Sequence, residues 1–270
     1  MKNFPLFNLF GFNNDVPSSP SQLFDRFSPK YVGGLTDVQF RDAYKQGRRD
    51  FCQTTLDGVD LQGIQLRELQ LRYSDLRFAR NLNLADLTGA DLMGVDLSGT
   101  HLSGFNFSSA VLCDANLRGA NLEGANLKDA ECAGADLNAT TLTNAILDGA
   151  NFTEAQMSWA SLHGADGLGC NFTMASLHGS NLSQGDWERS NFCKAVLCDA
   201  NLTWANLSHT NLSETRLKNA NLSWADLDGS NIAQALIRNT ALTGVRLPLG
   251  TYLVRRRLGF WNGGNSLSST

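Results

Sequence analysis

The sequence predicts an all-β solenoid built from five-residue units. From Leu82 to Leu247 an apolar residue returns at nearly every fifth position, and it is most often Leu. A small residue, usually Ala, stands two positions before it, and Asn or Asp most often lies between the two. A period of five fits neither the 3.6-residue turn of an α-helix nor the two-residue alternation of a strand. The chain must therefore turn by a fixed angle after every five residues.

Each unit is predicted to form one short extended side of a coil. Residues two apart in extended backbone point the same way, so the Ala and the Leu share one direction. That direction is inward, because the residue between them is polar. Gly follows the Leu by two positions in many units, as at Gly89, Gly94 and Gly124. Glycine suits a turn there because it accepts a positive φ without a Cβ clash.

The units have the form Ala-(Asn/Asp)-Leu-x-x, as in residues 120–124, and this form resembles the pentapeptide-repeat family. The resemblance covers roughly residues 51–247. It implies a right-handed four-sided β-helix of about ten coils, with twenty residues in each coil. It also implies a bacterial protein of a type that is common in cyanobacteria and has no assigned chemistry.

Residues that are twenty apart in the numbering support a four-sided coil. Gly167 stands where Leu is expected, and Trp187, twenty residues on, has the small Gly185 as its inward companion. An oversized side chain above a missing one conserves core volume. Leu168 is expected to replace the side chain that Gly167 lacks. An aromatic and an amide column are also predicted to stack: Phe152, Phe172 and Phe192; Asn151, Asn171, Asn191, Asn211 and Asn231.

The repeats divide the chain into four segments. These are an irregular N-terminal arm at 1–35, a capping helix at 36–50, the β-helix at 51–247, and a C-terminal cap with a disordered tail at 248–270. Thr36 is the predicted N-cap of the helix and Gly47 its stop. A six-residue spacing between Leu76 and Leu82 predicts one inserted residue and a bulge in the β-helix.

Charge and cysteine usage bear on where the protein works. The net charge is −4, and residues 82–247 carry 8 basic and 17 acidic side chains, a balance of −9. The six cysteines show no paired spacing, and Cys132 and Cys170 occupy inward positions. No disulfide framework is predicted, so a reducing, cytoplasmic location is favoured. The sequence predicts neither a membrane span nor a signal peptide.

Reactive side chains are scattered over the outward positions. The four His fall at different slots, and the closest acidic column is Asp166, Asp186 and Asp226, where the repeat itself favours Asp. A core filled with Leu also leaves no interior pocket for a substrate. The sequence therefore predicts no catalytic residue, no cofactor, no metal site, and a protein that is not an enzyme.

Exposed aromatic and basic residues are the candidate binding features. Trp204 and Trp224 occupy the same outward slot twenty residues apart, and Trp159 lies on the side before theirs. These rings are interpreted either as an interface anchor or as an external ladder that braces adjacent coils. The two end segments add further candidate protein-binding residues, for which self-packing and capping are the rival interpretations: Phe7, Phe10, Arg255, Arg256, Arg257 and Trp261.

The favoured function is a non-enzymatic protein-protein interaction scaffold that presents flat β-helix faces, an aromatic edge and basic ends to a protein partner. The alternative, implied by one branch of the resembled family, is a DNA-mimic modulator of a type II topoisomerase. About 48 Å of stacked coils would need about 28 negative charges to match duplex DNA, against the balance of −9. No nucleic-acid partner is expected, membrane contact through the termini is less favoured, and the partner's identity and the oligomeric state are left open.

Overall fold

The computed structural model of the protein describes residues 33–82 and 86–251. They belong to the larger of two compact units, Tyr31–Thr270, and the smaller unit, Met1–Lys30, lies outside the described residues. The helices and strands are short and few among the described residues: β1 (Gly33–Gly34), α1 (Asp37–Lys45), β2 (Thr54–Thr55), and 3₁₀ turns at Leu66–Glu68 and Ile232–Gln234.

Most of the described chain is a stack of four-sided coils. Single-residue parallel β-bridges join positions twenty apart, as between His101 and Asn121 or between Asn106 and Asn126. Four columns of such bridges run side by side, and neighbouring columns are offset by five residues. Four sides of five residues make one coil, so the twenty-residue register predicted from the sequence is confirmed.

The backbone hydrogen bonds explain why Asn or Asp precedes the central Leu. In the unit 121–125, four of the five N–H groups donate to backbone carbonyls of the previous coil, the next coil or the same turn, at 2.7–3.0 Å. The fifth N–H, that of Glu123, donates to Oδ1 of Asn121 at 3.0 Å. The same bond recurs from Thr153 to Asn151 at 3.1 Å. A carboxylate or amide oxygen at this position therefore satisfies the one backbone donor that the coil leaves over.

Side chains at the Ala and Leu positions fill the interior of the coils. Leu122, Ala125 and Leu127, for example, are fully buried, and almost all of their equivalents along the stack are as well. Each buried Leu contributes about 1.5–3 kcal/mol relative to an exposed one. The column of apolar side chains therefore stabilises an architecture that contains almost no conventional secondary structure.

Trp187 fills the gap that Gly167 leaves in the core. The indole is fully buried, and a Cβ built on Gly167 would lie only 2.5 Å from its ring. A Cβ on Gly185 would lie 2.6 Å from the indole nitrogen, which donates to the carbonyl oxygen of Leu182 at 3.2 Å. The predicted stacking of Trp187 on Gly167 is confirmed. The expectation that Leu168 replaces the missing side chain is wrong, because Leu168 points outward and is 40% exposed.

Both predicted columns stack as the numbering indicates. The ring of Phe172 lies parallel to those of Phe152 and Phe192, with centroid distances of 5.2 and 4.8 Å. Along the amide column, Nδ2 of Asn211 donates to Oδ1 of Asn191 at 2.9 Å. Side-chain contacts between coils therefore extend the backbone ladder on both the inside and the outside of the coil wall.

The six-residue spacing between Leu76 and Leu82 is absorbed as one inserted residue. Asp60 still bridges to Arg80, twenty residues on, whereas Gln70 bridges to Asp91 and the interval becomes twenty-one. The side chain of Arg80 stays outside, where its Nε donates to the carbonyl oxygen of Gly58 at 2.8 Å. The insertion predicted from the sequence is therefore confirmed, and the coils on either side remain stacked.

Helix α1 packs on the first coils and begins and ends where the sequence predicts. The hydroxyl of Thr36 accepts the N–H of Gln39 at 3.3 Å, and the Gln39 side chain accepts the N–H of Thr36 at 3.0 Å. Phe40 is fully buried, and its ring centroid lies 4.6 Å from that of Phe51. Gly47 follows the helix with φ at +91°. A capping box at the start and a glycine after the end thus fix the length of the helix.

Strand β1 corrects the boundary of the predicted N-terminal arm. Residues 33–34 were expected to belong to the irregular segment 1–35, but they pair in parallel with β2, Gly33 opposite Thr54. Leu35 continues the contact by donating its N–H to the carbonyl oxygen of Thr55 at 3.2 Å. Gly33 and Gly34 have no side chains that could show a strand pattern. Their pairing with β2 uses backbone hydrogen bonds only, so the sequence did not indicate a strand here.

The backbone changes near the C-terminal end although the sequence period persists. The 3₁₀ turn Ile232–Gln234 interrupts the column of bridges that contains Asn191 and Asn211, and the Asn231 side chain accepts the N–H of Leu212 instead. Bridges resume with Arg216 and Leu236. The predicted C-terminal cap lies mostly at 252–270, outside the described residues.

Candidate interaction surfaces

The outward tryptophans occupy the corners of the coils. Nearly every described unit turns at the second residue after the central one, and this residue adopts the left-handed conformation whether or not it is glycine. Phe78 and Gln234 are exceptions, and Gln234 lies in a 3₁₀ turn instead. Trp159, Trp204 and Trp224 have φ of 62°, 62° and 65°. Bulky side chains are uncommon in this conformation, which costs free energy for residues other than glycine. The three indoles are therefore held at positions where the local backbone disfavours them.

Trp204 and Trp224 form a parallel stack, which we call the tryptophan ladder. Their ring centroids lie 5.2 Å apart with 9° between the planes, so the stacking predicted from the sequence is confirmed. The ladder continues onto the next coil, because the Trp224 ring lies over the corner glycine Gly244. The two side chains nevertheless remain 60% and 51% exposed. The ladder is thus an ordered aromatic surface that faces solvent.

Trp159 lies apart from the ladder, on the neighbouring corner. Its ring covers Gly179, twenty residues on, and meets the ring of His178 edge to face at a centroid distance of 5.2 Å. Trp159 is 65% exposed. The structure therefore brings Trp204 and Trp224 together and leaves Trp159 as a separate aromatic site.

Covering a corner glycine is a general device of this solenoid. Asp114 and Asn144 place their side-chain oxygens over the corner glycines twenty residues on, and the ring of His209 covers Gly229. The bracing interpretation of the tryptophans is therefore realised in the geometry. The indoles differ from these polar residues in the large apolar area that they leave exposed. The signal for this arrangement was present in the sequence, because Gly is frequent at the same slot of other units.

A depression on another side of the coils was missed by the sequence analysis. Arg216, Lys218 and Arg238 surround Leu236 and Ile237 there. Positions 216 and 236, like 218 and 238, are twenty apart, so the register itself would have placed these basic residues together. The remaining predicted binding residues, Phe7, Phe10, Arg255, Arg256, Arg257 and Trp261, lie outside the described residues.

The reactive side chains of the coils lie in separate environments. Burial raises the pKa of the Cys132 and Cys170 thiols far above the ordinary value, so both stay protonated and act as small apolar groups. Burial, followed by the charge of Asp148, raises the pKa of Asp166. In residues 33–82 and 86–251 no group of three or more His, Cys, Asp or Glu side chains is placed to hold a metal ion. No helix in the same residues is long and apolar enough to cross a membrane.

The repeat matches define the class of protein. A family model for pentapeptide repeats matches the chain in eight copies, which cover more than half of its length: residues 81–104, 90–129, 130–166, 170–208 and 197–234. The chain therefore belongs to the pentapeptide-repeat family. Family membership supports the right-handed β-helix solenoid that the resemblance implied.

Several solved structures are similar to the chain. HetL, a pentapeptide repeat protein involved in heterocyst differentiation regulation from the cyanobacterium Nostoc, is 28% identical over 80% of this chain and 99% of its own, with a TM-score of 0.37. A thylakoid-lumen pentapeptide repeat protein from Arabidopsis thaliana is 31% identical over 43% and 71%, with a TM-score of 0.27. QnrB1, a plasmid-mediated fluoroquinolone resistance protein, is 16% identical over 61% and 86%, with a TM-score of 0.35. No curated protein matches.

Proposed function

We propose that the protein is a non-enzymatic scaffold that binds a protein partner through the tryptophan ladder. Pentapeptide repeat proteins are generally non-enzymatic scaffolds, and the chain belongs to that family. The observation that carries the proposal is the solvent-exposed stack of Trp204 on Trp224. Tryptophan is enriched among the residues that dominate interface energetics.

The ladder suits binding because its rings are ordered before a partner arrives. Trp204 rests on Trp224, and Trp224 lies between Trp204 and the backbone at Gly244, so both rings are held in place. Ordering a free side chain on binding costs about 0.5–1.5 kcal/mol, and this cost is reduced for a ring that is already fixed. Bracing of the coils and binding of a partner therefore use different surfaces of the same side chains.

The solenoid supplies a rigid support for this surface. Its interior is filled by apolar side chains such as Leu202, Leu207 and Leu222, all fully buried, beneath the ladder corner. We further propose that about ten coils are stacked in this way and that α1 covers the first of them. Phe40 of the helix seals the apolar end against Phe51, and Arg41 donates to the carbonyl oxygen of Asp60 at 2.7 Å. A cytoplasmic location remains a prediction from the cysteine pattern.

Removing the two rings is expected to abolish capture of the partner. In the double variant Trp204→Asn with Trp224→Asn, the corners keep a residue that tolerates the left-handed conformation, but the aromatic surface is lost. The amount of partner captured from the native host is measured by affinity capture with mass spectrometry. We expect the double variant to capture at least about tenfold less partner than wild type, because anchor residues each contribute about 2 kcal/mol or more.

Met174→Asn is the matched control for this capture experiment. Met174 is also an exposed apolar residue at a left-handed corner, with φ at 60°, but it lies on a different corner. The control is expected to capture the partner as wild type does, and Trp159→Asn shows whether the neighbouring corner belongs to the contact. If the double variant captures the partner as well as wild type does, and its own melting temperature is unchanged, the ladder is not part of the interface.

The purified protein is expected to leave DNA supercoiling by gyrase unchanged. The acidic excess of residues 82–247 is only −9, and basic residues such as Arg216, Lys218 and Arg238 interrupt the faces, which makes a poor imitation of a DNA phosphate lattice. A titration of the protein into a gyrase supercoiling assay tests this point. Potent inhibition would replace the scaffold proposal by the DNA-mimic alternative.

A further inference from the structure

The depression around Leu236 combines an apolar floor with a basic rim. It has a volume of about 270 Å³ and is lined by Arg216, Lys218, Leu236, Ile237 and Arg238. We propose that this depression, which we call the basic groove, binds a short acidic segment of a protein partner that places one apolar side chain against Leu236. The groove shares no residue with the tryptophan ladder, so it is a second contact surface that goes beyond the function proposed above.

The coil register is what concentrates the basic charge. Val196, Arg216 and Leu236 follow one another in a single column of parallel bridges. Lys218 and Arg238 lie two residues after Arg216 and Leu236, so they form the adjacent outward column of the same side. Neighbouring coils are about 4.8 Å apart, so the three cationic side chains start from adjacent strands. Their spacing is fixed by the backbone rather than by contacts among the side chains.

The three cations lack an internal counter-charge, unlike several other arginines of the coils. Arg246 pairs with both Asp226 and Asp228 at 2.8 and 2.7 Å, and Arg72 pairs with Asp91 at 2.6 Å. Within the described part of the chain, no carboxylate comes within ion-pair distance of the three groove cations. Asp199, which lies on the same side of the coils, pairs with His178 instead. Like charges held close together repel one another, and an anionic ligand relieves that repulsion.

Leu236 indicates that the ligand is more than a small anion. The side chain is 53% exposed in the middle of the basic rim, and Ile237 beneath it is buried. A free phosphate would leave this apolar area in contact with water. A peptide with carboxylates on both sides of an apolar residue would cover Leu236 and place negative charge near each cation. The chemistry of the groove therefore matches an acidic segment with an apolar centre.

Charge elsewhere in the chain favours a short protein segment over a larger polyanion. The balance of −9 over residues 82–247 repels nucleic acid and anionic membranes, whereas a short peptide meets only the groove. The two end stretches of the sequence are not acidic segments. Residues 252–270 contain Arg255, Arg256 and Arg257 and no Asp or Glu, and residues 1–32 carry 3 basic against 2 acidic side chains. The occupant that we propose is therefore a segment of another protein, chosen because its charge is complementary to the groove.

A labelled acidic peptide tests the groove directly. The probe is a fluorescein-labelled synthetic peptide of alternating Glu and Leu, titrated with the full chain and followed by fluorescence anisotropy, beside the same peptide with Gln in place of Glu. We expect binding of the Glu peptide only, with affinity that falls as salt is added. The double variant Arg216→Gln with Arg238→Gln is expected to bind at least about tenfold more weakly. Leu236→Ser is expected to bind several-fold more weakly.

Arg118→Gln is the matched control. Arg118 occupies the same outward slot as Lys218 on the same side, five coils earlier, and it pairs with Asp136 at 3.9 Å. The control is expected to bind the peptide as wild type does, and so is the double variant that lacks the tryptophan ladder. Failure of the ladder proposal would thus leave this result intact. If the double variant Arg216→Gln with Arg238→Gln has a lowered melting temperature, the single variant Lys218→Gln is used for the same test.

Three results would overturn the proposal. The first is equal binding of the Glu and Gln peptides, or binding of neither. The second is an equal loss in Arg118→Gln and in the groove variants. The third is groove-dependent binding of phosphatidylserine vesicles or of inorganic phosphate in the absence of any peptide binding, which would reassign the cations to a lipid headgroup or to a free anion.

Discussion

Replacing Leu182 with Asp is expected to unfold several coils of the β-helix. Leu182 is fully buried, one coil after Leu162 and one coil before Leu202, which are both fully buried as well. An unpaired carboxylate in such a core costs several kcal/mol, which is a large part of a typical domain stability of about 5–15 kcal/mol. Because each coil is stabilised by its neighbours, the damage spreads beyond the coil that carries the substitution.

Gln184→Asp is the control for this substitution. It adds the same charge two residues away, at an exposed corner where φ is 57° and Asp is well tolerated. Circular dichroism melts are expected to show a large fall in melting temperature or an insoluble protein for Leu182→Asp, and a shift of no more than a few degrees for Gln184→Asp. A soluble Leu182→Asp variant that melts like wild type would contradict the inward assignment of the central residues.

Exchanging the sizes of the residues at 167 and 187 is expected to give strongly coupled effects on stability. Trp187→Leu leaves a cavity above Gly167 and is expected to cost about 2–4 kcal/mol. Gly167→Leu drives a side chain into the indole, since even a Cβ would lie 2.5 Å from the ring, and is expected to cost about 1–3 kcal/mol. The double variant has Leu at both positions, as most units do, and is expected to recover most of the loss.

Equilibrium urea denaturation of the four proteins measures this coupling. We expect a coupling free energy of at least about 2 kcal/mol for Gly167→Leu with Trp187→Leu. The Sγ of Cys170 lies 3.3 Å from the Cβ position at residue 167, so adding Cys170→Ala is expected to complete the recovery. The control cycle pairs Gly167→Leu with Leu227→Ala, three coils away, and additivity is expected there. Additive effects at 167 and 187 would show that the two residues do not share one space.

The core and the register could be predicted from the sequence because they depend on side-chain size at fixed intervals. Gly167 and Trp187 could be matched from the numbering alone, and so could the extra residue between Leu76 and Leu82. Leu168 was assigned wrongly because the sequence shows that a side chain is missing but does not show which neighbour fills the gap. The indole from the next coil fills it, through a contact that is local in space and distant in the chain.

The surfaces were harder to predict because they depend on backbone conformation and on pairing of charges. The frequent glycines marked the turn, but the left-handed conformation of Trp204 and Trp224 follows only once the same turn slot is known to recur in nearly all units. The basic groove was missed for a different reason. Arg216 and Arg238 look like ordinary scattered charges until their lack of carboxylate partners is seen in the structure.

The twenty-residue coil also restricts how such a chain can change length. Gain or loss of twenty residues adds or removes one whole coil, so every later side keeps its direction around the solenoid axis. The ladder and the groove then face the same way relative to the earlier coils. Gain or loss of a single pentapeptide rotates every later residue by a quarter turn about the solenoid axis. The ladder and the groove then face a different direction relative to all coils before the change. One added residue between Leu76 and Leu82 is tolerated because the bulge takes it up and the phase is preserved.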